Sequence, residues 1–246
     1  MSVRQDAILH LRRVYFSVGS LAYFILGPSI VFGTVWLLRG GNALNANFFL
    51  GSALMLAVVA PSFDQMAIGL ADDRHGPLEF RRERARLGAR LWAWAGIAVG
   101  ASLLVVIVAA VISPMSLGFL GWLRFLLALA LGATPIGLAA VALSFWFPHD
   151  QVRRWGKIAS FVLILGAGLV VPPFMLPGLL WRAANILPTR HYAEIVWSSG
   201  FGWVWPWAST LWLVLFAGVF AGAAIAGARR VYGDRAHGVA PVDGLP

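Results

Sequence analysis

Residues 91–113 read LWAWAGIAVGASLLVVIVAAVIS, a run without a single charged side chain. About 20 mainly apolar residues in a helix cross the hydrocarbon core of a bilayer, so this run predicts a membrane-spanning helix. Other apolar stretches of similar length lie on both sides of it. The six predicted spans are residues 16–38, 47–70, 91–113, 120–147, 158–180 and 204–228. The sequence therefore predicts an all-α, polytopic membrane protein.

The overall composition agrees with a place in the membrane. Hydrophobic residues make up 60% of the 246 residues, charged residues make up 12%, and the mean hydropathy is +0.79. Soluble domains contain about 25% charged residues, because a folded domain must present a polar exterior to water. Lipid accommodates the apolar surface that water would not. The chain has no cysteine, which excludes disulfides and thiol chemistry.

The basic residues indicate the orientation of the predicted spans. With both termini in the cytoplasm, most of the 19 Lys and Arg residues fall in cytoplasmic segments, and the external ones are Arg39, Arg124, Arg182 and Arg190. This positive-inside bias accounts for the net charge of +9 without a nucleic-acid partner. Arginine far outnumbers lysine, which is typical of a GC-rich bacterial genome. We therefore expect a multi-pass protein of a bacterial cell membrane.

A single transmembrane domain over residues 1–232 accounts for the spans, and residues 233–246 read as a short cytoplasmic tail. Residues 3–15 place apolar side chains on one face of a helix and polar or charged ones on the other. This pattern predicts an interfacial helix on the cytoplasmic surface. A basic tail that only sets the topology is the alternative.

The loop after the second span concentrates charge in a chain that is otherwise poor in it. Gly76-Pro77 is typical of a helix start, and Glu79 would lie in the first turn, near the positive end of the helix dipole. A short cytoplasmic helix is therefore predicted over 76–88, either as a solvated loop that sets the topology or as a docking surface. The candidate docking residues are Gly76, Leu78, Glu79, Phe80, Arg81 and Arg82.

The segment 172–199 is too polar and too rich in proline to span the bilayer, yet too apolar for a free loop. Short helices that re-enter the outer leaflet before the last span would explain both properties. Pro177 and Pro188 are candidate gate residues in this predicted re-entrant segment.

Two charged positions are further candidates for the translocation pathway. Asp64 lies within the second span, where a carboxylate is costly and marks a functional site by default. It would contact substrate or a gate, or be solvated near the cytoplasmic interface. Glu194, with Arg190 and His191, would close an external gate, although solvation at the membrane surface is the favoured alternative. The scattered histidines have no zinc-ligand spacing.

In order and placement, these segments resemble the permease subunit of a type-2 ABC exporter, a family that includes daunorubicin-type multidrug exporters and polysaccharide exporters. Residues 73–79, DRHGPLE, are similar to the Glu-Arg…Gly-Thr-Leu-Glu pattern of the family's cytoplasmic coupling helix. Leu176-Pro177, Leu187-Pro188 and Glu194 are similar to the Leu-Pro…Leu-Pro…Glu stretch before its last span. The chain departs from the pattern at positions 73 and 77, and no proline closes the helix near 86.

The resemblance implies a transport subunit rather than an enzyme. Two permease subunits, identical or related, would form the pathway, and two separate ATPase subunits would hold ATP and magnesium and receive the coupling helix. This chain has no Gly-Lys-Ser/Thr phosphate loop, so it would carry no cofactor of its own. The expected substrate is a hydrophobic drug, an antibiotic or a lipid-like molecule, with a lipid-linked glycan as the alternative.

Three other classes remain open from the residues themselves. A membrane-embedded lipid-modifying enzyme would need clustered acids or histidines at helix ends, which the sequence does not offer outside the charged loop. An ion-coupled secondary transporter would need matching broken helices in two halves, and Pro61 does not clearly correspond to the break at 172–177. The third class is a scaffold without transport activity.

Overall fold

The computed structural model describes residues 22–38, 43–74, 80–113, 118–166 and 177–236. Within these ranges the backbone is helical apart from short connections, and no strand is present. The predicted all-α class is therefore confirmed for the described part of the chain. The predicted interfacial helix at 3–15 lies outside it. The last helix continues to Ala236, beyond the predicted domain boundary at 232.

We number the described α-helices in chain order. They are α1 (Gly27–Leu38), α2 (Ala43–Pro61), α3 (Ile68–Arg74), α4 (Phe80–Ile112), α5 (Phe119–Trp146), α6 (His149–Gly166), α7 (Gly178–Ala184), α8 (Pro188–Phe201) and α9 (Trp207–Ala236). The π-helical segment Ala22–Leu26 leads directly into α1, and a second one, Ser62–Ala67, joins α2 to α3.

Four helical segments of the described residues are long and apolar enough to cross a membrane. They are Phe48–Asp72, Arg90–Ile112, Phe119–Trp146 and Trp207–Tyr232. These four coincide with the second, third, fourth and sixth predicted spans. The first predicted span overlaps the shorter apolar helix Ala22–Leu38. Helix α6 covers the beginning of the fifth, and residues 167–176 in its middle lie outside the described ranges.

The break between α2 and α3 follows from Pro61. Proline has no N–H to donate and its ring crowds the preceding turn, so the regular ladder of hydrogen bonds cannot continue through it. The wider Ser62–Ala67 turn follows at once. The Ser62 hydroxyl donates to the Val58 carbonyl oxygen at 2.7 Å, and Trp94 Nε1 on α4 donates to the Ser62 hydroxyl oxygen at 2.8 Å. Side chains thus satisfy polar groups that lipid could not.

Helix α8 is buried along almost its whole length. It packs against α2, α5 and α9, and nearly all of its side chains are buried. Tyr192 at its centre is fully buried, and its ring lies directly on the backbone of α5 at Gly132. Trp197 approaches Gly51 of α2 in the same way, since a Cβ at position 51 would lie 2.7 Å from the indole ring. Two glycines therefore set how closely α8 approaches its neighbours.

We expect Gly132→Ala to destabilise the protein strongly, because the added Cβ would overlap the Tyr192 ring. Overpacking of this kind costs about 1–3 kcal/mol. Thermal unfolding of the detergent-purified chain measures the loss. Gly100→Ala is the matched control, since no atom lies within 4 Å of a Cβ placed there, and it should leave the midpoint unchanged or raise it. Equal midpoints for the two variants would contradict this packing.

Candidate functional site

Helix α8 begins and ends at residues suited to those positions. Leu187 is extended, and Pro188 occupies the first turn, where its fixed φ and missing N–H are tolerated. Gly202 ends the helix with a φ of 67°, a left-handed conformation that favours glycine, and its N–H bonds the Ser198 carbonyl oxygen. The candidate gate residue Pro188 therefore starts a buried helix, whereas Pro177 is exposed directly before α7.

A polar cluster joins α8 to the beginning of α9. Arg190 and Glu194 are one helical turn apart, and Arg190 Nη2 lies 2.7 Å from Glu194 Oε1. The Ser209 hydroxyl on α9 donates a hydrogen bond to Glu194 Oε2 at 2.5 Å. His191 Nδ1 lies 3.3 Å from the Ser209 hydroxyl oxygen. We call Arg190, His191, Glu194 and Ser209 the α8–α9 clamp.

Most of the clamp is buried. Arg190 and His191 each keep 8% of their surface exposed and Ser209 keeps 3%, whereas the Glu194 side chain is 33% exposed. The interpretation that these residues are solvated at the membrane surface is therefore wrong for Arg190 and His191. The physical reason is the position of α8 between α2, α5 and α9, which hydropathy along one segment does not reveal.

Aromatic rings complete the surroundings of the two buried bases. The guanidinium carbon of Arg190 lies 5.5 Å from the centre of the Trp197 ring, within range of a cation–π attraction. The His191 ring stacks on Trp212 with centroids 5.7 Å apart. Among the described residues, Arg190 Nε and Nη1 have no hydrogen-bond partner. Glu194 is therefore the main compensation for a buried positive charge.

The buried position of His191 favours its neutral form. Burial lowers the pKa of His191 below its ordinary value of 6.5, and the nearby Glu194 carboxylate opposes that shift without reversing it. The Asn185 carbonyl oxygen, 3.0 Å from Nε2, can only accept, which assigns the ring proton to Nε2. The single hydroxyl hydrogen of Ser209 goes to Glu194, so a neutral ring receives no hydrogen bond from Ser209 at Nδ1, 3.3 Å away.

Serine, histidine and glutamate side chains meet in this cluster, but their order is unsuited to nucleophilic catalysis. In a hydrolase triad the histidine lies between the serine and the carboxylate, so that it can take the hydroxyl proton. Here the Ser209 hydroxyl donates to the carboxylate itself, and Ser209 is almost inaccessible. The geometry is that of a link between two helices.

A second polar contact lies at the other end of the bundle. His149 Nδ1 at the start of α6 lies 2.5 Å from Asp72 Oδ1 near the end of α3. The sequence places His149 and Asp150 in a turn and gives no sign of this partner, because Asp72 lies in another loop. The contact fixes which turn of α6 lies beside which turn of α3.

Asp64 belongs to the π-helical segment Ser62–Ala67, which follows the Pro61 break. Its side chain is partly exposed and lines a cleft of about 690 Å³. Arg153 and Lys157 of α6 line the opposite wall, and the Lys157 charge acts on the Asp64 carboxylate. A π-helical turn inserted between α-helices often marks a functional site. Asp64 is thus partly exposed at a cleft and not deeply buried.

The predicted docking helix is described only in part. Residues 75–79, with Gly76, Leu78 and Glu79, lie outside the described ranges. From Phe80 onward, through Arg81 and Arg82, the backbone is helical and continues without a break into the third span. The predicted helix 76–88 is therefore, in its described part, the beginning of α4 rather than a separate short helix.

Comparison with protein-family models, with curated proteins and with solved structures finds no match to this chain. The functional interpretation consequently depends on the residues and their geometry.

We expect Glu194→Gln to lower the stability of the protein, because it removes the charge that compensates buried Arg190. A buried charged donor left with a weaker partner costs about 1–3 kcal/mol. Thermal unfolding in detergent measures the change, with exposed Arg182→Gln as the control. Arg190→Gln combined with Glu194→Gln should cost less than the sum of the single substitutions. Additive costs would show that the two side chains are not coupled.

Proposed function

We propose that this chain is the membrane-spanning subunit of an ATP-driven ABC exporter of a bacterial cell membrane. Two such subunits, identical or related, would form the pathway, and separate ATPase subunits would bind their cytoplasmic face with ATP and magnesium. The observation that carries the proposal is the order of the segments along the chain. Apolar spans lie before and after the charged segment that begins α4 at Phe80. Two short helices, α7 and α8, precede the last span.

The positions of these segments support the proposal. Helix α8 contacts the beginnings of α2 and α9, since Trp197 Nε1 donates to the Phe48 carbonyl oxygen and Glu194 accepts from Ser209. The charged start of α4 follows α3, whose end contacts the start of α6 through Asp72 and His149. The short helices and the charged segment therefore belong to opposite ends of the bundle. An exporter subunit needs this division, with a docking surface on one side and a gate on the other.

The candidate residues acquire separate roles under this proposal. The stretch from Gly76 to Arg82 would enter a cleft of the ATPase and transmit its closure to α4, which is continuous from Phe80 to Ile112. Asp64 would face substrate that arrives from the cytoplasmic side, because it lines an open cleft. Glu194 would hold the outer gate shut through Arg190 and Ser209. A hydrophobic drug, antibiotic or lipid-like molecule is the proposed substrate, with a lipid-linked glycan as the alternative.

Co-expression with an ATPase encoded beside this gene tests the proposal. Wild type should co-purify with the ATPase in lipid nanodiscs and stimulate its activity. Glu79→Ala combined with Arg82→Ala should reduce association or coupled activity about tenfold, the loss of two charged contacts of roughly 0.5–1 kcal/mol each. Asp150→Ala combined with Arg154→Ala is the matched control, because it also removes one acid and one base from exposed positions.

The control should keep both association and activity. Equal losses in the two double variants would show that residues 76–88 have no special role. Failure of any ATPase to bind wild type would contradict the exporter proposal and leave an ion-coupled transporter, with Asp64 as its charged site, as the class to test next.

A further inference from the structure

The cleft beside Asp64 has walls from three parts of the chain. The segment Ala22–Leu26 supplies one wall, the Ser62–Ala67 turn with the start of α3 supplies the second, and α6 supplies the third. Its lining residues are Tyr23, Phe24, Asp64, Ile68, Arg153, Lys157, Ser160, Phe161 and Ile164. The volume of about 690 Å³ is in the range of small-molecule sites, which span about 300–1,000 Å³.

The contact between Asp72 and His149 is a reference point from which the positions of the charged lining residues along α3 and α6 can be measured. The end of α3 meets the start of α6 there, and Gly156 farther along α6 lies against the Phe63 backbone before α3, so the two segments run in opposite directions. A helix rises about 1.5 Å per residue. Lys157 and Asp64 are therefore at the same level, each about 12 Å from the contact, and Arg153 is about 6 Å from it. Both basic side chains thus lie near one end of the cleft.

The wall formed by α6 changes in polarity along its length. Arg153, Lys157, Ser160 and Ile164 are spaced three or four residues apart, so they lie on one face of the helix. From the His149 end inward, this face carries two cations, then a hydroxyl, then an apolar side chain beside Phe161. One leaflet of a bilayer has the same order, with charged headgroups outside and acyl chains inside.

The charges of the lining favour an anionic group. Arg153 and Lys157 are exposed, and the described residues place no carboxylate within ion-pair distance of Arg153. Among the described lining residues, Asp64 is the acidic one, so the two bases outnumber it. A ligand with one negative charge at its polar end and an apolar remainder would match both the net charge and the polarity of the cleft.

We propose that this cleft binds an anionic phospholipid from the adjacent leaflet. Its phosphate lies between Arg153 and Lys157, and one acyl chain follows Phe161 and Ile164 along α6. Arginine and lysine both bind phosphate, and basic pockets between membrane helices recognise anionic headgroups in this way. The ring of Tyr23 is exposed and belongs to the lining, where it can pack against a bound acyl chain. This site does not depend on the exporter proposal.

Native mass spectrometry of the full chain, purified in detergent and given phosphatidylglycerol or phosphatidylcholine, tests the site. Wild type should retain phosphatidylglycerol and release phosphatidylcholine. Arg153→Gln combined with Lys157→Gln should lower retention of phosphatidylglycerol by roughly tenfold or more, since each basic contact near the surface contributes a few-fold in affinity. Arg154→Gln is the matched control, because it removes an adjacent charge from the same helix outside the lining.

The Asp64→Asn variant distinguishes a lipid-binding site from a group of charges that only stabilises the fold. Removal of the acid should raise phosphatidylglycerol retention severalfold, which a loss of folding would not do. An excess of inorganic phosphate should not displace the lipid, because it lacks the acyl chain. The proposal is overturned if Arg153→Gln with Lys157→Gln retains as much lipid as wild type or as Arg154→Gln. It is also overturned if both lipids are retained equally, if phosphate alone displaces the lipid, or if Asp64→Asn lowers retention.

Discussion

The contact between the Tyr192 ring and the backbone of α5 at Gly132 sets the position of α8, on which one end of the structure depends. A helix that carries Arg190 and His191 can be buried only if its polar groups find partners. At this depth, Glu194 reaches both Arg190 and the Ser209 hydroxyl of α9. An outward shift of α8 by one side-chain diameter would separate these groups. Close helix packing and polar pairing are therefore two consequences of the same glycine.

The opposite end of the bundle accommodates its charged side chains in a different way. There the charges lie at helix ends, where Asp72 meets His149, or along an open cleft that Asp64 and Lys157 line from different walls. The π-helical turn after Pro61 places Asp64 at this cleft, and the Ser62 hydroxyl there donates to the Val58 carbonyl oxygen and accepts from Trp94. One end is thus closed by paired side chains, and the other has an open cleft lined by charged side chains.

Four of the six predicted spans coincide with helices long and apolar enough to cross a membrane, because the length and hydropathy of a run are local properties. It also brings Arg190, His191 and Glu194 together, since they lie within two turns of one helix. Their burial could not be predicted, because it depends on neighbours that are distant in sequence. Ser209 gave no signal inside an apolar span, and the Asp72–His149 contact joins two helices that are far apart in the sequence. The sequence also did not predict that α4 runs unbroken from Phe80 into the third span, because the residues change abruptly from charged to apolar.

The central claim is that the α8 end and the His149 end of the bundle face opposite sides of the membrane. The chain has no cysteine, so single cysteines can be placed at exposed positions without a background. Val204→Cys, 89% exposed before α9, and Asp150→Cys, exposed on α6, report the two ends. A membrane-impermeant maleimide applied to intact cells should label position 204, and it should label position 150 only after the membrane is permeabilised. Labelling of both positions from the same side would contradict the account.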